Sequence, residues 1–541
     1  MKHSKLSTDG YKILMSDLTD TELSKIKKEL TVIPHAMDMT KEQKDLAQYE
    51  VFTSDERYIY VPRYYGTANF GTPTYEKFVP ESATIKFNGT LRDYQYPIVS
   101  KCIEHMKTKG GGLLSVPCGA GKTTMALKIA SELGLKTLVI VHKTFLKDQW
   151  HDRAKQFTDA KIGSIRQKVV DVEGKNIVIG LIQSISKRTY EPDLFKQFGL
   201  VIYDECHHVA SKTFSRALAK TGAKYTLGLS ATPYRLDGLI KVMHWYVGEI
   251  MFQIKLKTNN QVLAKVFTYK SSAPTFKEYS RFFSGKVRPD HNKMLKSVIE
   301  LDDRNKVISD IINHLRRDPK RTILVISWRK NHLKILKDKI DEYLNNDYKK
   351  GLLEKNECMT CYFTGDSTQE ERKHAEQCGD IIFATYDMAA EALDIERLNT
   401  IIMATSKKDV NQAVGRILRK VLSNGDTRPL IIDINDDISI FKNQSKKREK
   451  YYKDSKYNIE RYYIHNSDYV SLDKYDNPSC KDKCEDNLNV ILAVPPVMIT
   501  GIEPELTNQI NHDDPNKPDK SNVQEQTKVI KLFAKKVIKP E

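Results

Sequence analysis

Short, unbroken apolar runs recur along this chain, separated by segments whose apolar residues return every three or four positions. Leu113 to Val116, Thr137 to Val141, Ile177 to Gly180, Leu200 to Tyr203 and Thr226 to Leu229 form one series. Ile323 to Ile326, Tyr362-Phe363, Ile381 to Ala384, Ile401 to Ala404 and Leu430 to Ile434 form a second. A strand apolar at consecutive positions is buried on both faces, and covering both faces requires helices above and below the sheet. Two such series, alternating with helical segments, predict two α/β domains with parallel sheets in tandem. Between them the chain from about Lys255 to Arg304 is polar and less regular, and reads as a connection.

The flanks differ from this pattern. Leu23, Ile26 and Leu30 fall at helical spacing in Thr21 to Leu30, and Arg57 to Tyr65 alternates like a strand, predicting a small N-terminal α/β module. Beyond Ile440, the run Phe441 to Tyr463 predicts a basic helical extension rich in tyrosine. Asn508 to Gln526, rich in Asn, Asp, Pro and Lys, is expected to be disordered. After it Val529, Ile530, Phe533 and Val537 recur at helical spacing as a short amphipathic end. The expected divisions are an accessory module at residues 1–85, a first α/β domain at 86–255, a linker at 256–304, a second domain at 305–440, the basic extension at 441–505 and a tail at 506–541.

Charge adds a partner to the picture. Lys+Arg number 87 against 70 Asp+Glu, a formal net charge of +17 that favours a polyanion. Two stretches mix bases with aromatics: Arg57, Tyr58, Tyr60, Arg63, Tyr64 and Tyr65, and the Phe441–Tyr463 run. Either could bind a strand by charge and stacking, but packing against a neighbouring domain is the favoured reading of both. No apolar run approaches the roughly 18 residues needed to span a bilayer, and the first residues lack the apolar centre of a signal peptide, so the cytosol or nucleus is expected and no membrane. The eight cysteines are expected as thiols. Cys358-x-x-Cys361 and Cys480-x-x-x-Cys484 are each half of a zinc-like spacing, with a buried strand thiol the ordinary reading of Cys361.

Candidate chemistry begins with Leu113 to Leu133, which reads as strand, glycine loop and helix. Backbone N–H groups of such a loop and the positive end of the helix form a concave anion site. Pro117, Cys118, Gly119, Ala120, Gly121, Lys122, Thr123 and Thr124 make up the cradle, with Lys122 reaching terminal phosphates and Thr123 holding Mg²⁺. Val116 stands where the full G-x-x-x-x-G-K-[ST] pattern has its first glycine. Arg92 and Gln95, three residues apart on one face of a predicted helix, can hydrogen-bond a planar ligand such as adenine. Asp204 and Glu205 end an apolar strand, where one carboxylate can hold a Mg²⁺ water shell and its neighbour can deprotonate an attacking water. His142-Lys143-Thr144, Gln183-Ser184 and Ser230-Ala231-Thr232 also fall at carboxyl ends of strands, where ligands bind in such sheets. The second domain lacks a phosphate loop but ends in Gln412 to Arg419, with Arg416 and Arg419 i, i+3 on a predicted helix, their guanidiniums projecting the same way.

Together these segments resemble the superfamily 2 helicases and translocases over roughly residues 88 to 440. PCGAGKTT resembles motif I, Asp204 to His207 motif II, Ser230 to Thr232 motif III and Gln412 to Arg419 motif VI, in matching order and spacing. LRDYQ and SATPYRLDG narrow the resemblance to the branch holding XPB, phage recombination helicases and the helicases of large cytoplasmic DNA viruses. KKELTV, YVPRYYG and FKNQSKKREKYY are most similar to the viral group, which includes the poxvirus transcript-release helicase.

The resemblance implies two RecA-like domains sharing one ATP, with Arg92 and Gln95 on adenine, Asp204 on the metal and Glu205 as general base. Gln412 resembles the γ-phosphate sensor, and Arg416 and Arg419 resemble arginine fingers. Ala392-Leu393-Asp394-Ile395 resembles motif V with alanine in the glycine position, placing Asp394 near the ribose and Thr385 near a nucleic-acid phosphate. His142-Lys143-Thr144 resembles motif Ia and Gln183-Ser184 motif Ic, both phosphate-contacting. The resulting expectation is a monomeric, ATP- and Mg²⁺-dependent motor moving 3′ to 5′, on DNA in preference to RNA, in viral transcription or repair. It would act in the cytoplasm, a viral factory or a virion, with the nucleus also open. The amphipathic end is a candidate dock for transcription machinery, or folds back on the chain. The competing readings are an RNA helicase and a non-motor scaffold switched by nucleotide, which would have no need of Glu205, Arg416 and Arg419.

Overall fold

A computed structural model describes residues 3–33, 45–117, 119–191, 193–208, 212–231, 239–254, 261–283, 286–354, 357–391, 393, 395–417, 422, 424–466, 468–471 and 491–497. The chain divides into two compact units, the first reaching residue 255 and the second covering 256–507.

The first unit opens with a five-stranded sheet ordered Thr53–Ser54, Tyr58–Val61, Gly10–Leu14, Ser4–Ser7, Tyr75–Lys77. Its helix Asp20–Glu29 starts at a reciprocal cap in which Glu22 N–H donates to Thr19 Oγ1 at 3.2 Å and Thr19 N–H to Glu22 Oε2 at 2.9 Å. The strand expected over Arg57 to Tyr65 stops at Val61, because Pro62 has no N–H to donate and its fixed φ opens the helix Arg63–Phe70. That puts Tyr64 and Tyr65 on a helix packed against the next domain. Arg63 donates to the carbonyls of Ala223 (3.4 Å) and Lys224 (2.7 Å), and Tyr64 shares a 3.1 Å hydrogen bond with Thr226. Tyr65 meets Trp245 edge to face at 5.6 Å. Packing therefore accounts for these three residues of the aromatic-basic stretch.

The larger sheet of this unit runs Val169–Asp171, Ile162–Arg166, Ile177–Leu181, Thr137–Val141, Leu200–Tyr203, Tyr225–Ser230, Gly111–Ser115, Ile250–Gln253. Every neighbouring pair is parallel except Val169–Asp171, which returns antiparallel through a tight hairpin. Gly111–Ser115, Thr137–Val141, Ile177–Leu181 and Leu200–Tyr203 are buried along their whole length, as expected of a sheet covered on both faces.

The second unit has its own sheet, ordered Thr360–Phe363, Ile381–Thr385, Ile323–Ser327, Thr400–Met403, Leu430–Asp436, Leu263–Lys270, Asn458–His465, Asp468–Ser471. Two expectations change here. The segment read as a linker supplies Leu263–Lys270, an interior strand paired parallel to Leu430–Asp436 and to Asn458–His465. Lys265 disguised it by breaking the apolar run, yet the residue is 1% exposed. Its ammonium donates to Glu460 Oε2 and to the Ile491 carbonyl, each at 2.6 Å, so the charge is buried with partners.

The second change concerns the basic extension. Its helix is Ser439–Asp454 and gives way to the strand Asn458–His465, so the run is not helical through to Tyr463. Arg448 faces inward and makes a two-pronged ion pair with Asp433 at 2.8 Å, both side chains fully buried, and Tyr452 donates to the same carboxylate at 3.0 Å. Lys442 pairs with Asp437 and Arg461 with Glu449. The helix is thus anchored to its own domain by residues that the sequence offered to a strand.

Cys361 is a buried strand thiol, and burial raises the Cys358 thiol to about 11. Cys480, Cys484 and the tail lie outside the described residues. Among the described residues no cluster of three or more His, Cys, Asp and Glu is arranged to hold a metal, and no helix is long and apolar enough to cross a membrane.

Candidate functional site

The glycine loop follows the strand Gly111–Ser115 and precedes the helix Lys122–Leu133. Gly119 and Gly121 take φ of 80° and 79°, a left-handed backbone that side chains resist. At Gly121 a Cβ would also stand 2.3 Å from Gln95 Nε2. Val116 is fully buried and its N–H donates to the Ser230 carbonyl at 3.3 Å, so the position of the missing glycine belongs to the core. Lys122, Thr123 and Thr124 form the helix's first turn, each half-buried beside the loop.

Arg92 and Gln95 clasp this loop from behind. The helix begins at Gln95, with Arg92 ahead of it, so the two do not share a helix face. Instead Arg92 N–H donates to Gln95 Oε1 at 2.9 Å, while Gln95 Nε2 donates to the Ala120 carbonyl at 2.8 Å. The Arg92 guanidinium reaches the Gly119 carbonyl at 3.4 Å and the Tyr94 hydroxyl at 3.1 Å. With both ends of its carboxamide bonded and its side chain buried, Gln95 couples the loop's shape to the preceding segment.

Asp204 and Glu205 stand at the carboxyl end of Leu200–Tyr203. Asp204 Oδ2 accepts from the buried indole of Trp150 at 2.8 Å, and Oδ1 from Glu205 N–H at 3.0 Å. Burial, then the neighbouring Glu205 charge, pushes the Asp204 carboxyl up to about 6. Glu205 adopts φ 44°, rare for a residue with a Cβ. Its Oε1 lies 3.8 Å from Lys122 Nζ and its Oε2 3.5 Å from His207 Nδ1, which is 3.0 Å from the Ser230 hydroxyl. Among the described residues, the buried Glu205 Oε2 accepts no hydrogen bond. Two crowded carboxylates, reached by Lys122 from the helix turn that also carries Thr123, make a hard, oxygen-rich donor set, and these residues fit Mg²⁺.

His142, Lys143, Gln183 and Ser184, distant in sequence, line one cavity of about 710 Å³, together with Thr144, Leu181, Arg166, Gln167, Lys187 and Arg188. The Gln183 carboxamide donates to the His142 carbonyl, and Ser184 Oγ accepts Gln167 N–H at 2.9 Å, pinning the hairpin turn where Gln167 has φ 51°. Lys220 caps the last turn of the helix Ile182–Lys187 by donating to the carbonyls of Ile185 (3.0 Å) and Arg188 (2.8 Å). Motif residues thus build the walls, and Arg166, Lys187 and Arg188 add exposed positive charge at the mouth.

In the second unit Thr385 ends Ile381–Thr385, in register with Ser327. Gln412 lies on the short helix Asn411–Val414. Arg416 falls in the turn after it, 8% exposed, and donates to the carbonyls of Leu393 (2.9 Å) and Ala390. The described helix stops at Val414, short of Arg416, and the guanidinium serves the carbonyl of Ala390 in the last turn of the helix Tyr386–Glu391 and that of Leu393 just beyond it. Cys118, Thr232, Asp394 and Arg419 lie outside the described residues.

Sequence alone missed Trp150, Arg166, Lys187 and Arg188. Trp150 shares a helix face with Leu146 and Ala154 and reads as plain core, its indole N–H visible only once the strand ending at Asp204 is packed beside it.

Two parallel-sheet units, one with a glycine loop and a paired-acid turn, define a nucleotide-dependent motor enzyme. The family models agree: "Type III restriction enzyme, res subunit" matches residues 88–235 and "Helicase conserved C-terminal domain" residues 303–421. A protein of Acanthamoeba polyphaga mimivirus named as an ATP-dependent RNA helicase is 36% identical over 472 residues, spanning 86% of this chain and 88% of the relative. One of African swine fever virus with the same kind of name is 24% identical over 490 residues, spanning 83% and 90%. The DNA 3′-5′ translocase XPB2 of Sulfurisphaera tokodaii is 34% identical over 169 residues, 31% of this chain and 37% of that one. This chain belongs to the superfamily 2 helicases. It is an ATP-hydrolysing enzyme that acts on nucleic acid.

Proposed function

We propose that the enzyme moves 3′ to 5′ along DNA during viral transcription or repair, as a monomer, in the cytoplasm or a viral factory. The observation that carries the motor chemistry is the cluster of Lys122, Asp204 and Glu205 at the mouth of the glycine loop. The DNA preference and polarity are supported by the likeness to the XPB2 translocase; the viral relatives' names favour RNA as the second reading.

In this reading Lys122 binds the terminal phosphates and Glu205 takes a proton from the attacking water. Glu205 is suited to that task, since no described residue donates a hydrogen bond to Oε2. Mg²⁺, held through Thr123 and Asp204, would neutralise developing phosphate charge. Trp150 holds the Asp204 carboxylate in one orientation. Arg416 acts as the finger by exchanging the carbonyls of Ala390 and Leu393 for phosphate. The groove carrying Lys143, Arg166, Lys187 and Arg188 grips backbone phosphates, a contact without base identity that weakens as salt rises. The tail docks on transcription machinery.

The test is steady-state ATPase without nucleic acid and with single-stranded DNA, duplex DNA and RNA, beside Glu205→Gln. DNA should stimulate more than RNA, and Glu205→Gln should lose turnover by two orders of magnitude or more, ~3 kcal/mol of barrier. Equal rates in all four conditions would sink the motor reading, and greater stimulation by RNA would favour the second. Strand displacement from substrates with only a 3′ or only a 5′ overhang decides polarity.

A further inference from the structure

We propose that Trp328 is a stacking platform for an unpaired base, so that the second unit grips a single strand by a ring face and not by phosphates alone. The proposal rests on the nucleic-acid reading above and names the form of strand that reading leaves open. Trp328 directly follows Ile323–Ser327, an interior strand, at the carboxyl end where parallel sheets bind ligands. It is 38% exposed, in a sheet whose adjacent strand residues are buried.

Isolated exposed apolar side chains are ordinary. This one differs in being held from several sides. Its backbone N–H donates to Thr405 Oγ1 at 3.1 Å, and its indole N–H to the Ser406 carbonyl at 2.9 Å, so the ring's polar group is already satisfied inside the fold. Tyr386, 1% exposed, backs it with ring centroids 5.2 Å apart and planes at 48°. Lys407 Nζ lies 5.0 Å from the centroid of each ring. What remains outside is apolar ring surface, rigid before any ligand arrives, and a preorganised ring loses little entropy on stacking.

The surroundings select the occupant. Ser327 pairs in register with Thr385, so Trp328 is the next residue along the chain from the partner of the threonine expected to meet a backbone phosphate, at the same end of the sheet. Lys407 brings positive charge to the ring, and the next residue, Lys408, is exposed. An apolar face flanked by cations and a hydroxyl matches a nucleotide, whose base is flat and whose phosphate is anionic. Every base has such a face, so the platform would be indifferent to sequence. In a duplex those faces are stacked on their neighbours, which commits the site to an unpaired strand.

The experiment uses the full chain and three probes: a single-stranded oligonucleotide, an abasic strand of equal length and charge, and a blunt duplex. Binding is followed by anisotropy of labelled probe and by tryptophan emission, with thermal melting to establish that each variant is folded. The single strand should bind wild type more tightly than the abasic strand and quench tryptophan emission. Trp328→Ala should weaken single-strand binding by about 5- to 150-fold, the range for one stacked base, and leave abasic-strand binding unchanged. Trp328→Phe should restore most of the affinity without restoring the quench. Equal weakening of both strands by Trp328→Ala, or equal wild-type affinity for both, would overturn the platform while leaving nucleic-acid binding intact. If wild type bound none of the three probes, the wider reading would fall, and this one with it.

Discussion

Glu205 is held at φ 44° between two fixed neighbours, a backbone cost on the order of 1 kcal/mol for a residue with a Cβ. Asp204 cannot turn to relieve it, because Trp150 and the Glu205 N–H hold both carboxylate oxygens. Buried beside each other, the two acids add electrostatic strain to conformational strain. Glu205→Gly removes both, so its unfolding midpoint should rise, by about 1 kcal/mol or more in stability, while ATP turnover is lost. Scanning fluorimetry beside an ATPase assay measures the two; an unchanged or lower midpoint would mean the turn stores no strain. At this scale the sequence was legible wherever chemistry is written in consecutive residues, as in Gly121-Lys122-Thr123 and Asp204-Glu205. It was silent on Trp150 and on Arg166, whose significance depends on contacts made by folding: Trp150 Nε1 reaches a carboxylate 54 residues away.

At the scale of elements, a buried histidine stitches the second unit together. His332 lies on the helix Lys330–Lys349, and its Nε2–H donates to Asn305 Oδ1 at 3.0 Å on the helix Asp302–Leu315. Its Nδ1 accepts from the Ser327 hydroxyl at 2.9 Å, at the end of a central strand. Burial first, and the Arg304 charge second, hold this imidazole well below its ordinary value. The folded state therefore keeps it neutral where the unfolded chain takes up a proton. Unfolding then binds the extra proton at pH below about 6.5, so this contribution to stability is complete above that pH and is lost as pH falls beneath it. Urea midpoints between pH 7.5 and 5 should decline in wild type and decline less in His332→Gln; parallel slopes would remove His332 as the cause. Strand-and-helix order was readable from unbroken apolar runs, which is why both parallel sheets were expected. Leu263–Lys270 was not readable, because the run is interrupted by a lysine whose partner, Glu460, lies 195 residues further on.

For the whole molecule, the second unit extends past its family-matched core of residues 303–421 in both directions. A chain ending after Ile440 would remove the helix Ser439–Asp454 and the strand Asn458–His465, taking away the partners of Lys265 and Asp433 and baring the apolar residues those elements cover. That fragment should fail to fold, whereas one ending after Val497 should unfold in a single cooperative transition for this unit, as read by circular dichroism with denaturant. Comparable folding of the two would show that the later strands are an ornament. The position of Leu263–Lys270 also imposes an order on synthesis. Both of its neighbours in the sheet, Leu430–Asp436 and Asn458–His465, leave the ribosome long after it. At about 5–20 residues per second, this strand spends on the order of ten seconds or more with neither edge paired. The nascent chain thus carries a bare, mostly apolar ribbon through much of its translation, and a cell making this enzyme in quantity must shield it from its twins on the same polysome.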